Sequence, residues 1–172
     1  MRPSTSFEGR KKRKTMSTEK HTFILNAKWM GDSDAEGRLT LTDGNSVVFG
    51  VPAQLGGAPD RSSPEELLLS ALAACYSITL AMLIEKKRYP AQIFDVRTEG
   101  VVERQPDRSL KFTQIIIRPT LELPTGDESK RGVLTDLAHK AEQHCLISRT
   151  LRGNVELIIE PIIVSSVVVP SD

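Results

Sequence analysis

The uncharged run from Leu67 to Ile84 constrains the fold of this chain more than any other segment. It spans 18 residues, a length at which a membrane-spanning helix has to be considered. Ser70, Ser77 and Thr79 interrupt it, alanine is frequent in it, and the chain holds no second run of this kind. We therefore reject a membrane span and expect a central helix, buried on all sides, within a soluble fold.

The residues before this run give the clearest helix start in the chain. Ser63 is predicted to be the N-cap, Pro64 the first helical residue, and Glu66 the residue that completes a capping box. The helix is predicted to continue to about Lys87 and to end before Pro90.

Strand and helix patterns on either side of this helix indicate an α+β fold. The turn Asp43-Gly44-Asn45 and the turn from Gln105 to Arg108 each join two strand patterns as a hairpin. Because hairpins dominate and no repeated strand–helix–strand unit is present, the α+β class fits best. Strands are predicted at 21–29, 38–42, 46–51, 93–104, 110–123 and 155–164, and further helices at 128–144 and 148–151.

Length and composition fit one globular domain. The 172 residues are 39% hydrophobic and 26% charged, and the net charge of +1 does not indicate a nucleic-acid partner. Residues 1–20 are polar and aperiodic and hold the basic run 10–14, so a disordered basic tail is predicted, with Met16 as an alternative start. The domain is expected at 21–165 and a C-terminal tail at 166–172.

The chain holds two cysteines, Cys75 and Cys145. No secretory signal is visible, which favours a cytoplasmic location, where a cysteine pair is more often redox-active than structural. Two cysteines and three histidines, with neither a C-x-x-C nor an H-x-x-x-H spacing, do not predict a metal site. Considered singly, each cysteine is more simply interpreted as an inert buried residue.

Three further candidate residues also have ordinary structural explanations. Glu65 suits the positive end of the helix dipole, but Glu66 is the better capping residue, so Glu65 is less fully accounted for. Arg38 has the usual expectation of a solvated arginine. His144 suits a helix C-terminus, although it precedes Cys145 and could act on its thiol.

Two motifs carry a resemblance to a known family. Residues 64–77 read PEELLLSALAACYS, and residues 141–156 read AEQHCLISRTLRGNVE. They resemble the two signatures of the OsmC/Ohr family (osmotically inducible protein C and organic hydroperoxide resistance protein), and the first motif leans toward its OsmC-like members. Leu146 stands where the family often has proline. The resemblance spans about residues 22–164.

This resemblance implies an intertwined homodimer in which antiparallel sheets wrap two central helices. It also implies a thiol peroxidase acting in oxidative-stress defence, with Cys75 as nucleophile and Cys145 as resolving cysteine. Organic hydroperoxides would be reduced to alcohols, and hydrogen peroxide is a further candidate substrate. No cofactor or metal is implied, only an external dithiol reductant of the lipoyl type. The expected partners include neither a nucleic acid nor a membrane.

In this family an arginine and a glutamate form an ion pair beside the reactive cysteine. Glu65 matches the glutamate by motif position, and Arg38 matches the arginine approximately, with Arg61 as the alternative. Burial disfavours a thiolate, so a cation is expected near Cys75. Ten residues separate Glu65 from Cys75, which is about 15 Å along a straight helix. We therefore expect either that Glu65 serves Cys75 of the partner subunit or that the helix breaks between them.

Two other functions stay open at this point. The fold could be a non-catalytic dimeric protein that binds a small molecule, with both cysteines passive. It could also be a thioesterase-like hydrolase that uses Glu65 near the N-terminus of its long helix. Variants of Cys75 and Glu65 assayed on both substrate types would separate these functions.

Overall fold

The computed structural model describes residues 19–89, 94–123 and 127–165. Residues 1–18 of the predicted tail at 1–20 lie outside these ranges, as do the predicted tail at 166–172 and the predicted start of a strand at Ile93. The described residues form seven strands and three α-helices in an α+β arrangement, with two separate sheets.

The first sheet consists of three short antiparallel strands in sequence order. These are β1 (Asn26–Trp29), β2 (Gly37–Thr40) and β3 (Ser46–Phe49). The predicted hairpin between β2 and β3 is confirmed, and Gly44 supplies the left-handed backbone conformation (φ 87°) that its turn requires. The predicted first strand is shorter than expected, because residues 21–25 are exposed and pair with no described strand.

The long helix α1 (Pro64–Lys86) begins as its sequence predicts. The Ser63 hydroxyl accepts a hydrogen bond from the Glu66 N–H at 3.1 Å, and the Glu66 carboxylate accepts one from the Ser63 N–H at 2.8 Å. These two bonds satisfy donors that a helix start leaves free. The helix continues without interruption from Glu65 past Cys75, which excludes a break between these residues, the second of the two alternatives.

Burial of α1 differs from the prediction of a helix covered on all sides. One stripe is buried at four-residue spacing, at Leu72, Tyr76, Leu80 and Ile84. On another face Ile78 and Met82 are each 63% exposed. Within one chain the helix is therefore buried along one stripe only. It is the one described helix long and apolar enough to span a membrane by length and composition, criteria that the core helix of a soluble protein also meets.

The second sheet is mixed rather than antiparallel throughout. Strands β4 (Asp95–Arg104) and β5 (Leu110–Leu123) form the predicted hairpin. The predicted closing strand at 155–164 is instead two strands, β6 (Glu156–Ile159) and β7 (Ile162–Ser165), which both run parallel to β5. Pro161 separates them because proline has no N–H for the ladder.

Two consecutive helices cover the same core. Helix α2 (Arg131–His144) follows a single 3₁₀ turn and buries Leu134, Leu137, Ala138 and Ala141, as its periodicity predicts. The Tyr76 hydroxyl of α1 donates a hydrogen bond to the Ala138 carbonyl at 2.9 Å, which ties the two helices together. Helix α3 (Leu146–Leu151) starts two residues earlier than predicted.

Candidate functional site

The two cysteines, far apart in sequence, lie in contact within one chain. Cys75 lies midway along α1, partly exposed, and Cys145 lies buried at the junction of α2 and α3. The two thiols are close enough to shift each other's pKa, with that of Cys75 lowered by Cys145 and that of Cys145 raised by Cys75. Both are free thiols in this structure. The arrangement places a partly accessible sulfur directly beside a buried one.

The N-terminus of α3 surrounds this sulfur pair with backbone donors. Cys145 has an extended backbone (φ −61°, ψ 126°) and acts as the N-cap, so its sulfur accepts from the Ser148 N–H at 3.5 Å. The N–H groups of Ile147 and Leu146 act instead on Cys75, whose pKa they lower. These amides belong to the first turn of a helix and have no partner within it, so the two sulfurs serve as their acceptors.

The pKa of Cys75 is held below its usual value. Desolvation by burial acts to raise the pKa, but hydrogen bonds from the Ile147 N–H, the Cys145 thiol and the Leu146 N–H together outweigh it. The cation expected from the sequence is not among these causes. Sequence analysis missed the backbone amides, although the substitution of leucine for proline at 146 is a usable signal, because a proline there has no N–H to donate.

The pKa of Cys145 moves in the opposite direction. Burial raises it, the hydrogen bonds from Ser148 partly oppose this, and the neighbouring Cys75 raises it further. Cys145 is therefore the member of the pair that keeps its proton. One sulfur suited to nucleophilic attack thus lies against one suited to donate a proton.

Glu65 lies far from this pair in its own chain. It occupies the first turn of the uninterrupted α1, ten residues before Cys75. Its Oε2 atom is buried and has no hydrogen-bond partner among the described residues. The neighbouring Glu66, by contrast, is fully engaged in the capping box. This confirms that the cap does not account for Glu65.

A cavity of about 320 Å³ opens beside Glu65. Strands β4 and β5 and the segment after β3 enclose it together with the start of α1. Gly100 allows the close packing of one wall, because a Cβ atom there would lie 2.5 Å from the Phe112 ring. The lining residues are Pro52, Gln54, Leu55, Ser63, Glu65, Glu66, Leu69, Gly100, Val102, Leu110 and Phe112.

Neither candidate arginine contacts Glu65 or Cys75 within the described chain. Arg38 is exposed on β2, and its Nη1 donates to the Ser46 hydroxyl at 3.2 Å. Arg61 is more buried, and its Nη1 donates to the carbonyl oxygens of Asp34 and Ala35 at 3.1 and 2.8 Å. Both guanidinium groups are directed to the first sheet and its loop rather than to the cavity.

The described residues offer few other candidate catalytic or metal-binding groups. His144 lies exposed in the last turn of α2. No group of three or more histidine, cysteine, aspartate or glutamate side chains within 19–89, 94–123 and 127–165 is placed to hold a metal ion.

The chain is similar to several known proteins. Residues 57–160 match the family model described as OsmC-like protein. The uncharacterized protein YmaD of Bacillus subtilis is 33% identical over 142 residues, covering 81% of this chain and 93% of that protein. Peroxiredoxin OsmC of Escherichia coli is 24% identical over 134 residues, covering 76% of this chain and 90% of that protein.

A solved structure extends the likeness to the fold. It is that of an organic hydroperoxide resistance protein OsmC from Legionella pneumophila. This structure superposes with a TM-score of 0.66 at 21% identity, over 83% of this chain and 99% of that one.

Proposed function

Because the chain belongs to the OsmC-like protein family, we propose that it is a thiol peroxidase that reduces organic hydroperoxides to alcohols. The names of its relatives, peroxiredoxin and organic hydroperoxide resistance protein, support a peroxide-related function. The observation that carries the proposal is the contact between the Cys75 sulfur, whose pKa is lowered, and the Cys145 thiol, whose pKa is raised.

The first proposed step is attack by the Cys75 thiolate on the distal oxygen of the hydroperoxide. The sulfur–oxygen bond forms as the oxygen–oxygen bond breaks, so Cys75 becomes a sulfenic acid and an alkoxide leaves. The alkoxide takes a proton from solvent and departs as the alcohol. The N–H groups of Leu146 and Ile147 support this step because they favour the thiolate that must attack.

The second step joins the two cysteines. The Cys145 sulfur attacks the sulfenic sulfur of Cys75, a disulfide forms and water leaves. The contact between the thiols means that little backbone movement is needed. Cys145 is fully buried, which suits a resolving residue that should not itself meet the peroxide. A dithiol of the lipoyl type then reduces the disulfide by exchange.

We further propose that the active unit is a homodimer. Ile78 and Met82 leave an apolar face of α1 uncovered in one chain. A second copy covering this face would bury it, and a closed two-fold interface would do so in both copies at once. It would also allow Glu65 to serve Cys75 of the partner subunit, because the straight α1 keeps Glu65 from the cysteine of its own chain.

Thiol titration tests the peroxidase proposal directly. One equivalent of an organic hydroperoxide should remove both thiols of each chain and release one equivalent of alcohol. The Cys145→Ser variant should lose one thiol and stop at a sulfenic acid that a dimedone probe traps. The Cys75→Ser variant should lose none. A wild-type protein that keeps both thiols in excess hydroperoxide contradicts the proposal.

The cavity beside Glu65 favours one second candidate, a hydrolase that uses this carboxylate. Its buried Oε2 has no partner and lies at a helix N-terminus, where a general base could act on a thioester. The Glu65→Gln and Cys75→Ser variants discriminate when both are assayed on a hydroperoxide and on an acyl thioester. The hydrolase would be favoured if Glu65→Gln lost thioester cleavage while Cys75→Ser kept it.

A further inference from the structure

The cavity beside Glu65 has apolar walls and a small polar end. Its side walls are the aliphatic and aromatic side chains of Leu55, Leu69, Val102, Leu110 and Phe112. Its volume of about 320 Å³ is at the lower end of the range of pockets that bind small molecules. The apolar walls favour a ligand with a hydrocarbon body. The polar end then determines which polar group such a ligand can carry.

Only two of the four polar side chains at this end are available to a ligand. Ser63 and Glu66 are engaged with each other in the capping box. Glu65 has a buried oxygen without a partner, and Gln54 has an exposed side chain with no hydrogen bond to any described residue. The polar end therefore offers a carboxylate that accepts hydrogen bonds and an amide that can donate and accept them.

Among the described residues, no lysine, arginine or histidine lines this cavity. The two arginines expected for the ion pair make their hydrogen bonds elsewhere, Arg38 with Ser46 and the Arg61 Nη1 atom with two backbone carbonyls. A negative group that entered the cavity would face the Glu65 carboxylate with no counter-charge and with its own hydration lost. An uncharged group with an O–H would instead satisfy the buried oxygen of Glu65.

We propose that Gln54 and Glu65 make this cavity selective for uncharged apolar hydroperoxides over those that carry a carboxylate. The hydroperoxide O–H donates to Glu65, the Gln54 amide holds the same polar end, and the hydrocarbon lies against the Leu69 and Phe112 walls. Gln54 is a specificity-determining residue here because an uncharged amide occupies a position where a cation would remove most of the preference for the uncharged ligand. The inference rests on the proposed peroxidase function for its substrate class. It also rests on the proposed homodimer for the reacting sulfur, because the straight α1 keeps Cys75 of the same chain about 15 Å from Glu65.

The kinetic test compares a hydroperoxy fatty acid with its methyl ester, below the concentration at which either forms micelles. The two differ by one charge. Full-length wild-type protein should oxidise Cys75 with the ester at least about tenfold faster, which corresponds to about 1.4 kcal/mol. Gln54→Arg should remove most of this preference, and Gln54→Met should retain it. Gln143→Arg, the same added charge at an exposed position of α2 outside the cavity, should leave the ratio unchanged.

A binding measurement keeps this inference separate from the peroxidase proposal. The corresponding hydroxy acid and its methyl ester are titrated calorimetrically into the Cys75→Ser protein, where no reaction occurs. Tighter binding of the ester, with the preference narrowed by Gln54→Arg, supports the selectivity even if wild type reduces no hydroperoxide. Equal binding of acid and ester, no binding of either, or an ester preference that Gln54→Arg leaves intact overturns it.

Discussion

The backbone N–H of Leu146, at the start of α3 where this helix packs on α1, lowers the pKa of the Cys75 thiol. The effect arises because Cys145 adopts an extended conformation that ends α2 and begins α3 beside α1. The Ile147 N–H lowers the same pKa more strongly. The reactivity of Cys75 is therefore set largely by the path of the backbone after Cys145, and residue 146 is where the sequence can alter it.

Leu146→Pro should raise the pKa of Cys75 and slow its alkylation at neutral pH, because proline cannot donate to the sulfur. Leu146 is 63% exposed, so the change removes little packing, and proline is well tolerated at the first position of a helix. The rate of Cys75 alkylation by iodoacetamide, followed by mass spectrometry over a pH series, measures the shift. Leu146→Ala keeps the N–H and should match wild type. Identical pH profiles for the proline and alanine variants would show that this amide does not matter.

The pH dependence of peroxide reduction should follow Cys75 alone. Its pKa is lowered, chiefly by the Ile147 N–H against the cost of burial, so the second-order rate should rise with pH and level off earlier than for an ordinary cysteine. The raised pKa of Cys145 keeps that thiol protonated across the same interval. Stopped-flow measurement of sulfenic acid formation in wild type tests this. A rate that still climbs above the range of an ordinary thiol would contradict the lowered pKa.

Substitutions of the adjacent residues Glu65 and Glu66 should affect different properties, activity for Glu65 and stability for Glu66. Glu65→Gln should lower kcat/KM for hydroperoxide by about a hundredfold, the lower end of the effect of a positioned acid or base, while the melting temperature changes little. Glu66→Ala should do the reverse, since it breaks the capping box at a cost of about 0.5–2 kcal/mol and leaves the cavity carboxylate in place. Steady-state kinetics and thermal unfolding of both variants provide the comparison. Equal losses of activity in the two variants would contradict a catalytic role specific to Glu65.

Much of the helical part of this fold follows from local sequence. Ser63, Pro64 and Glu66 define the start of α1 through contacts within four residues, and the apolar spacing of α2 identifies its buried face. The split after β6 was not predicted, because the apolar run continues on both sides of Pro161 and parallel pairing with β5 depends on residues about forty positions away.

The site was predictable to a different degree at each residue. The motif indicated Cys75 and Cys145 and singled out Glu65, and the structure brings the two sulfurs together. The amide donors were missed because they depend on the backbone conformation of Cys145, which side-chain patterns do not encode. Gln54 was missed because no motif or periodic pattern in the neighbouring sequence distinguishes it from other loop residues. It becomes part of a site only when Phe112 of β5 packs beside the start of α1.

Two tyrosines provide a matched test of the core. Tyr76 is fully buried and donates to the Ala138 carbonyl at 2.9 Å, and burial raises its pKa so that the hydroxyl keeps its proton. Tyr76→Phe should lower the free energy of unfolding by about 1–2 kcal/mol. The Tyr89 hydroxyl has no partner among the described residues, so Tyr89→Phe should be neutral or slightly stabilising. Urea unfolding of both variants measures the difference, and equal effects would argue against the helix-to-helix bond.

The uncovered face of α1 is the expected dimer contact. Met82 and Ile78 lie one turn apart and are each 63% exposed in a single chain. If a second copy covers them, Met82→Lys should weaken the dimer at least about a hundredfold, because an unpaired charge buried at an interface costs several kcal/mol. Val133→Lys, at an apolar position of α2 that is 40% exposed, is the matched control and should leave the assembly intact.

Sedimentation velocity across a concentration series measures this dissociation, and the peroxidase assay adds a second readout. Since α1 keeps Glu65 about 15 Å from Cys75 along its own helix, a monomeric Met82→Lys variant should also lose the contribution of Glu65. Adding Glu65→Gln to it should then reduce the rate no further. A wild-type protein that sediments as a monomer at all concentrations, yet is slowed by Glu65→Gln, would contradict the shared site.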